Sequence, residues 1–405
     1  MGRMRTAAVP TPVITVARSF VVAALFGYFF DLLRQTHSHL VNAAGRPFGD
    51  DWVNYWSAAY LALHGRAAEI YDPHVFHVFQ ETIVGSPLDG YHYSYPPVML
   101  LLTAPFALIP YVPALFVWLS ASWYAFYRAL KLAMPGRGVL LLALAAPAVL
   151  INAVGGQNGC WTAAFLGGGL GLLARRPYLS GSLFGMMIYK PQLALLLPVA
   201  LLAGRQWRAF AAASVTAGVL LAASAFWFGT DVWAEYLRNL NVLRQMILED
   251  GTGVWHRFVS VFVAARRLGA PVAAAYVVQA IVGGLACIAV AWVWFRDTRA
   301  NIKNAVLLLG TCLATPYLQD YDLVFGAIVV AWLWQQPVET NTSERALQIA
   351  CGLLLLLPLV AAALAHMTGL AFGPLFILPA FVIALQAAFA GREFDRSALP
   401  ALHDA

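Results

Sequence analysis

Residues 271–295 read PVAAAYVVQAIVGGLACIAVAWVWF, a run of 25 residues without a charged side chain. A helix needs about 20 mostly apolar residues to cross the hydrocarbon core of a bilayer. This segment is therefore predicted to be a transmembrane helix. Apolar segments of spanning or near-spanning length also lie at 13–33, 113–130, 138–154, 158–174, 207–228, 302–317, 321–336, 346–366 and 371–390. The sequence thus predicts an all-α polytopic membrane protein.

The composition indicates the same class. Hydrophobic residues make up 61% of the 405 residues and charged residues only 11%, which lies outside the usual range of soluble globular chains. The net charge of +6 is spread over short loops and does not form the basic patch that nucleic-acid binding needs. We therefore expect membrane lipids around the protein and no nucleic-acid partner.

Lysine and arginine collect at the ends of the apolar segments and predict the orientation of the chain. If the N-terminus is inside, every basic cluster becomes cytoplasmic. These clusters contain Arg3, Arg5, Arg18, Arg128, Lys131, Arg137, Arg175, Arg176, Arg205, Arg208, Arg296, Arg299, Lys303, Arg345, Arg392 and Arg396. The basic head before the first apolar segment is typical of an uncleaved signal anchor. We expect a single transmembrane domain over 1–405 that ends in a cytoplasmic tail at 391–405.

Two further regions, 96–111 and 179–203, are predicted to return to the side that they left. Proline cannot continue a helix, so Lys190-Pro191 would break 179–203 into two half-helices, each too short to span the membrane. The prolines at both ends of 96–111 suit a short interfacial or re-entrant element. The bundle then has ten crossings, and the number rises to about 14 if both regions cross fully.

This topology places five polar loops on one outer face, at 34–95, 152–158, 229–269, 316–320 and around His366. We call 34–95 the first loop and expect it to be the outer catalytic loop, and we call 229–269 the second loop. The candidate functional residues at this outer face are Asp50, Asp51, Gln157, Trp255, His256, Asp320 and Asp322. Ionisable residues placed at or in a membrane are candidates for function. Chemistry is therefore expected at the outer surface.

An aspartate pair stands in the most informative stretch of the first loop, Gly49-Asp50-Asp51-Trp52-Val53-Asn54-Tyr55. Aromatic residues follow at helical spacing, so the aspartates are expected to cap the start of a helix. The aromatic residues of the first loop are expected to form interfacial helices on the membrane: Trp52, Tyr55, Trp56, Tyr60, Tyr71, Phe76 and Phe79. A carboxylate at the membrane surface can act as a general base. We predict this role for Asp51 in preference to Asp50.

Lys190 is one of three lysines and stands in an apolar region beside Pro191. A buried ammonium needs a partner, and either an anion site or a structural contact with backbone carbonyls freed by the proline would supply one. The stretch 155–159, GGQNG, predicts a tight turn between two helices, and 167–171 predicts a close helix-packing face. The histidines lack the spacing of a zinc site, so no metal or cofactor is expected.

Several motifs, in order along the chain, resemble those of one family. They are Asp51-Trp52-x-x-Tyr55, Leu63-x-Gly65, Tyr71-Asp72, Tyr93-x-Tyr95-Pro96-Pro97, Gly156-Gln157-Asn158, Lys190-Pro191-Gln192 and Tyr321-Asp322-Leu323. Over about residues 48–335 the chain resembles glycosyltransferase family 87 of the GT-C superfamily. The resemblance implies a GT-C-type helix bundle and the activity of a polyprenyl-phosphate-mannose-dependent α-mannosyltransferase.

The resemblance and the chemistry that it implies give each candidate site residue a role. Asp51 would be the general base, with Asp50 beside it, and the sugar would be transferred with inversion. The donor phosphate would be held by Lys190, Gln192, Arg257 and Arg266. The sugar or the acceptor would contact Tyr55, Tyr93, Tyr95, Gln157, His256, Asp320 and Asp322. The expected partners are a polyprenyl-phosphate sugar donor and a lipid or glycan acceptor, at the outer (periplasmic) side of a bacterial inner membrane.

A transporter or flippase of a lipid-linked sugar is the alternative from another class. Lys190, the broken helix and Asp322 would then be substrate-binding or proton-relay groups. Transporters commonly show internal repeats, and the sequence shows no convincing repeat, while its polar residues concentrate towards one face. This asymmetry favours surface chemistry. Among glycosyltransferases, a sugar other than mannose or the ligation of a glycan to a lipid stays open, because sugar identity depends on a few hydrogen bonds.

Overall fold

The computed structural model describes residues 11–36, 39–42, 45–136, 138–251, 254–335 and 343–397. Within these ranges the chain forms 18 α-helices and no β-strand. The helices are α1 (Thr11–Thr36), α2 (Trp52–Leu63), α3 (Pro73–Val84), α4 (Val98–Ala107), α5 (Tyr111–Ala133), α6 (Val139–Ala145), α7 (Pro147–Val154), α8 (Gly159–Leu172), α9 (Pro177–Met186), α10 (Leu197–Ala203), α11 (Trp207–Phe228), α12 (Thr230–Leu243), α13 (Val261–Arg267), α14 (Val272–Phe295), α15 (Ala300–Ala314), α16 (Gly326–Trp334), α17 (Glu344–Thr368) and α18 (Gly373–Ser397). Arg3, Arg5, Arg137 and residues 398–405 of the predicted tail lie outside the described residues.

Four helices of the described chain are long and apolar enough to cross a membrane: α1, α11, α14 and α17. Shorter apolar helices lie at Val98–Ala107, Pro191–Ala203, Ala300–Ala314 and Gly373–Phe389. In α1, Phe26 and Phe30 are 72% and 71% exposed, as expected of side chains that lipid tails would cover. The prediction of an all-α polytopic membrane protein is confirmed. The number of ten to about 14 crossings and the orientation stay predictions.

Prolines divide the apolar segments. The region 179–203 is broken as predicted: α9 ends at Met186, short 3-10 turns follow at Met187–Tyr189 and Pro191–Leu193, and α10 begins at Leu197. The apolar segment at 138–154 is also divided, because Ala146 is extended (ψ 117°) before Pro147 and separates α6 from α7. A residue that precedes proline is pushed out of the helical region by the proline ring.

Several aromatic side chains of the first loop are buried against the bundle. Helix α2 packs against α4, and Trp52, Tyr55 and Trp56 are all at most 7% exposed. The Trp52 indole donates a hydrogen bond to the Tyr111 carbonyl at 3.1 Å. The expectation of interfacial aromatic residues is therefore wrong for these three, and it is also wrong for the buried Tyr71 and Phe76. Lipid tails and a protein interior are equally apolar, so hydropathy alone does not separate the two.

The second loop is mostly helical. It contains α12, a π-helical turn at Arg244–Glu249, a 3-10 turn at Trp255–Arg257 and α13. After the 3-10 turn the backbone pairs with the segment before Asp320: Phe258 and Gln319 form an isolated antiparallel bridge, and the Val259 amide donates to the Leu318 carbonyl at 3.0 Å. This pairing brings the second loop to the carboxylates of 320–322.

The glycines of α8 allow close helix packing, as predicted. A Cβ atom at Gly167 would overlap Ile328 of α16, and one at Gly169 would overlap Phe184 of α9. Helix α8 also packs along α5. Small residues let helix backbones approach closely in membrane proteins. The start of α8, which carries Asn158 immediately before it, is thereby held at the centre of the bundle.

Candidate active site

Ionised side chains from four separate parts of the chain meet at one place in the described structure. They are the carboxylates of Asp50, Asp51, Asp320 and Asp322 and the cations of Arg46, Lys190 and Arg257. The carboxylates come from the first loop and from the 3-10 helix Asp320–Phe325, and the cations come from the first loop, the helix break and the second loop. We call this set the charge cluster. Sequence reasoning predicted all of its members except Arg46.

Asp51 immediately precedes α2, but its side chain does not cap the helix, so the capping prediction is wrong. Its carboxylate instead accepts hydrogen bonds from the Gln157 amide and, at 3.2 Å, from Asn54 Nδ2. Arg257 Nη1 lies 3.8 Å from its Oδ2, and the side chain is 30% exposed. Burial and the nearby charge of Asp50 raise the pKa of Asp51 to about 6, while Arg257 and Gln157 oppose that rise.

Asp50 has more partners than Asp51. Arg46 Nη1 lies 3.1 and 3.0 Å from its two oxygens, and the Tyr91 hydroxyl donates to Oδ1 at 2.6 Å. Arg257 Nη1 lies 3.4 Å from Oδ2. The backbone of Asp50 adopts φ +44°, in the left-handed region that aspartate tolerates better than most residues. Asp50 is therefore an anchor between the first and second loops, with both oxygens already engaged.

Arg257 joins the two loops. Its Nε lies 3.3 and 3.4 Å from the Asp320 oxygens, and its Nη1 reaches both Asp50 and Asp51. Its guanidinium carbon lies 5.4 Å from the centre of the Tyr321 ring. Burial lowers the pKa of Arg257, but the three carboxylates raise it by more, so the net shift is upward and the guanidinium stays charged.

Lys190 is 2% exposed and has three acceptors around its ammonium group. They are Asp322 Oδ1 at 2.5 Å, Asn158 Oδ1 at 3.1 Å and the Tyr321 hydroxyl at 3.3 Å. The Asp322 side chain is fully buried. The sequence left two alternatives for Lys190: an anion site or a contact with backbone carbonyls. Its three acceptors are side-chain atoms, and the anion among them is the Asp322 carboxylate of the same chain. An ammonium has three N–H donors, so its hydrogen-bonding capacity is filled.

The predicted turn at 155–159 lies between Asp51 and Lys190. Gly156 has φ +58°, and a Cβ there would overlap the Gly49 carbonyl. A Cβ at Gly159 would overlap the Tyr321 carbonyl. Only glycine permits this double approach of backbone to backbone. It places Gln157 against Asp51 and Asn158 against Lys190.

Three tyrosine hydroxyls meet beside this turn. Tyr55 Oη lies 3.0 Å from Tyr95 Oη, which lies 3.4 Å from Tyr321 Oη. Asn158 Nδ2 donates to Tyr55 at 3.1 Å and to Tyr95 at 2.8 Å. Tyr93 packs against Tyr95 with its ring, and its buried hydroxyl has no hydrogen-bond partner among the described residues. Of the tyrosines predicted to contact sugar, only Tyr95 is partly exposed.

The surroundings of three further predicted site residues, Arg266, His256 and Gln192, are as follows. Arg266 donates to the Ala270 and Glu249 carbonyls at 2.8 and 3.1 Å, within the second loop. The His256 ring lies 4.8 Å from that of His366. Gln192 stands partly exposed in the turn Pro191–Leu193. Sequence reasoning did not assign roles to Asn158, Tyr321, Arg46 and Tyr91. The first two adjoin candidates that it did name.

The sequence model of glycosyltransferase family 87 matches residues 93–316, more than half of the chain. The chain belongs to glycosyltransferase family 87. The matched stretch includes Gln157, Lys190 and Arg257, and it ends before Asp320 and begins after Asp51. No solved structure matches this family 87 chain significantly.

Two curated relatives of this family 87 chain are named "Alpha-(1->3)-arabinofuranosyltransferase" and come from Mycobacterium tuberculosis, strains CDC 1551 / Oshkosh and ATCC 25618 / H37Rv. Each is 31% identical over 164 residues. The aligned region spans 37% of this chain and 37% of each relative.

Proposed function

We propose that the protein transfers a sugar from a polyprenyl-phosphate sugar to a hydroxyl group of a lipid or glycan acceptor, with inversion, at the outer face of the bacterial inner membrane. One observation carries the proposal: a partly exposed carboxylate, Asp51, lies 3.8 Å from the guanidinium of Arg257, whose side chain is 13% exposed. A general base and a fixed cation at one site suit a reaction in which a proton leaves the acceptor while negative charge grows on a departing phosphate.

Asp51 is proposed as the general base. Burial and Asp50 raise its pKa to about 6, so it is mostly ionised at neutral pH and still basic enough to accept a proton from a hydroxyl under attack. The acceptor oxygen would bond to the anomeric carbon as the bond from that carbon to the phosphate oxygen breaks. The proton would pass to Asp51, and attack from the face opposite the phosphate would invert the anomeric centre.

Arg257 is proposed to stabilise the leaving phosphate. The donor is a phosphodiester, and its product is a phosphate monoester with an additional negative charge, which a fixed guanidinium stabilises. Asp50 and Asp320 hold the guanidinium in place. Lys190 suits this role less well because its side chain is 2% exposed, against 13% for that of Arg257. Arg266 donates to carbonyls elsewhere in the second loop.

The partly exposed ring of Tyr95 is proposed to contact the sugar, since its ring and hydroxyl adjoin the network at Asp51. Tyr55 and Tyr93 are buried and would hold Tyr95 in place, Tyr55 through its hydroxyl and Tyr93 through its ring. The identity of the sugar has two candidates. The sequence motifs resemble those of mannosyltransferases, which supports mannose, while the name of the Mycobacterium relatives supports an arabinofuranosyl group.

The test is a transfer assay with the purified full chain in liposomes. Radiolabelled polyprenyl-phosphate mannose and polyprenyl-phosphate arabinofuranose are supplied separately with bacterial membrane lipids as acceptors. We expect one label to move into a new glycolipid or glycan. Asp51→Asn is expected to lower the rate by roughly a hundredfold or more, because general-base catalysis contributes factors of that size.

Asp231→Asn, which changes an exposed aspartate at the start of α12, is the matched control and should transfer at the wild-type rate. Movement of neither label would exclude both proposed donors. Full turnover by Asp51→Asn would exclude Asp51 as the base.

A further inference from the structure

The buried side chains between Lys190 and Asp51 form a continuous line of hydrogen bonds with one direction. Lys190 Nζ donates to Asn158 Oδ1 at 3.1 Å, and Asn158 Nδ2 donates to Tyr55 Oη at 3.1 Å. The Tyr55 hydroxyl donates to Gln157 Oε1 at 2.8 Å, and Gln157 Nε2 donates to Asp51 Oδ2. None of the three intermediate side chains is exposed to solvent.

The direction follows from the first donor. An ammonium group can only donate, so the Asn158 atom that faces Lys190 must be the amide oxygen. The Asn158 nitrogen then faces Tyr55, whose oxygen accepts and whose single proton remains for Gln157. Gln157 accepts with its oxygen and must therefore present its nitrogen to Asp51. The charge on Lys190 thus fixes which atom of each amide faces which neighbour.

We propose that Lys190, Asn158, Tyr55 and Gln157 form a positioning relay that orients the Asp51 carboxylate and favours its ionised form, an inference that rests on the proposed role of Asp51 as the base. Lys190 is a positioning residue here and does not touch the substrate. Asp322 holds the ammonium at the start of the relay. In an interior closed to water, aligned hydrogen bonds polarise one another, so a charge at one end strengthens the donor at the other.

Tyr55 is the best point at which to interrupt the relay. Tyr55→Phe removes one oxygen, changes no charge and leaves Gln157 without the donor that orients it. The matched control is Tyr95→Phe, because Tyr95 also accepts from Asn158 Nδ2 but is not hydrogen-bonded to Gln157. A second control is Tyr189→Phe, which removes a buried hydroxyl bonded to Thr162 at 2.6 Å, outside the relay.

The decisive measurement needs no substrate. Infrared difference spectra are recorded on the full chain in liposomes across a pH titration, and the carboxyl band that is missing in Asp51→Asn reports the ionisation of Asp51. Burial raises the pKa of Asp51 and the Gln157 hydrogen bond opposes that rise, so the wild-type midpoint is expected at about 6. In Tyr55→Phe the midpoint should rise by roughly half a unit or more, because a donor to the ionised form is weakened.

Tyr95→Phe and Tyr189→Phe should keep the wild-type midpoint, whatever their rates of transfer. Asn158→Leu, which removes the second link, should shift the midpoint in the same direction as Tyr55→Phe. An unshifted midpoint in a folded Tyr55→Phe variant would overturn the relay, and so would an equal shift in Tyr95→Phe. Retained transfer by Asp51→Asn would overturn only the proposed base, because the infrared titration decides the relay without it.

Discussion

Arg257 and Asp320 form a close ion pair, with Arg257 Nη2 3.3 Å from Asp320 Oδ1 and Nε within 3.4 Å of both carboxylate oxygens. Their side chains are 13% and 4% exposed. The same guanidinium contacts Asp50 and Asp51 in the first loop. One side chain therefore joins the second loop to three carboxylates from two other parts of the chain.

Loss of this guanidinium should destabilise the protein. Arg257→Met leaves buried carboxylates without their cation and is expected to lower the free energy of unfolding by about 3 kcal/mol. Thermal unfolding in detergent should show a lower transition temperature. Arg238→Met is the control, since Arg238 is 67% exposed and pairs with Glu235 on the same helix. Equal transition temperatures for the two variants would contradict the structural role of Arg257.

The pH dependence of transfer should show the ionisation of Asp51. Burial and Asp50 raise the pKa of this carboxyl from 3.8 to about 6. A base acts only when ionised, so the rate should rise with pH to a plateau above a midpoint near 6. A steady-state rate measured from pH 4.5 to 8 checks this, and a flat profile through pH 6 would contradict it.

The raised pKa of Asp51 also has a consequence for stability. The folded protein holds this proton more tightly than the unfolded chain does, so stability from this group falls as pH rises from about 4 to about 6 and stays lower above it. Asp51→Asn removes the loss of stability that comes from ionising this carboxyl in the folded protein. The variant should unfold at a temperature equal to or above that of the wild type at pH 7.5, although it no longer transfers sugar.

The buried pair of Lys190 and Asp322 predicts a double-mutant result. Lys190→Met alone strands a fully buried carboxylate and should lower the free energy of unfolding by about 3 to 5 kcal/mol. Combining Lys190→Met with Asp322→Leu removes both charges and should restore most of the thermal stability. Transfer activity should stay low in the double variant because the donor to Asn158 is gone. Full activity in a stable double variant would show that the pair serves only folding.

Gly156 and Gly159 should not tolerate a methyl group. A Cβ at either position would overlap a backbone carbonyl, of Gly49 or of Tyr321, and Gly156 also has positive φ. Gly156→Ala is expected to cost about 1 to 3 kcal/mol of stability and to displace Gln157 from Asp51. Gly218→Ala and Gly284→Ala are matched controls, because open space surrounds these helical glycines. In thermal unfolding and transfer assays, the alanine variants of Gly156 and Gly159 should be less stable and less active than those of Gly218 and Gly284.

Labelling of intact cells tests the predicted orientation. His64 and Arg205 are both exposed, so a cysteine introduced at either position is accessible from its own side of the membrane. Of the four native cysteines, only Cys287 is partly exposed, and Cys287→Ala provides the background. A membrane-impermeant maleimide should label position 64 and not position 205. The opposite pattern would place the first loop in the cytoplasm.

Sequence reasoning predicted the parts of this structure that depend on local chemistry. Long apolar runs, the break at Lys190-Pro191 and the turn at 155–159 follow from hydropathy, proline geometry and glycine. The partners of the site residues do not follow in this way. Gln157 lies 106 positions after Asp51, and only the packing of α8 against its neighbours brings them together.

The second loop shows why the remaining site residues could not be separated. Arg257 and Arg266 lie in one polar stretch and are chemically identical, yet Arg257 meets three carboxylates and Arg266 meets backbone carbonyls. Which arginine enters the charge cluster is decided by the backbone pairing of 258–259 with 318–319. No pattern within the second loop alone encodes the position of Asp320, which lies 63 residues after Arg257.

The backbone pairing between Phe258 and Gln319 has a consequence for how the sequence of this chain can change. The register of that bridge sets the position of Arg257 relative to Asp320. The preceding residues 230–251 are held by contacts of their own, since Asn239 Nδ2 donates to the Tyr71 carbonyl at 3.0 Å and the Trp255 indole donates to the Leu248 carbonyl at 2.9 Å. A one-residue slip in the bridge would turn Arg257 away from all three carboxylates at once.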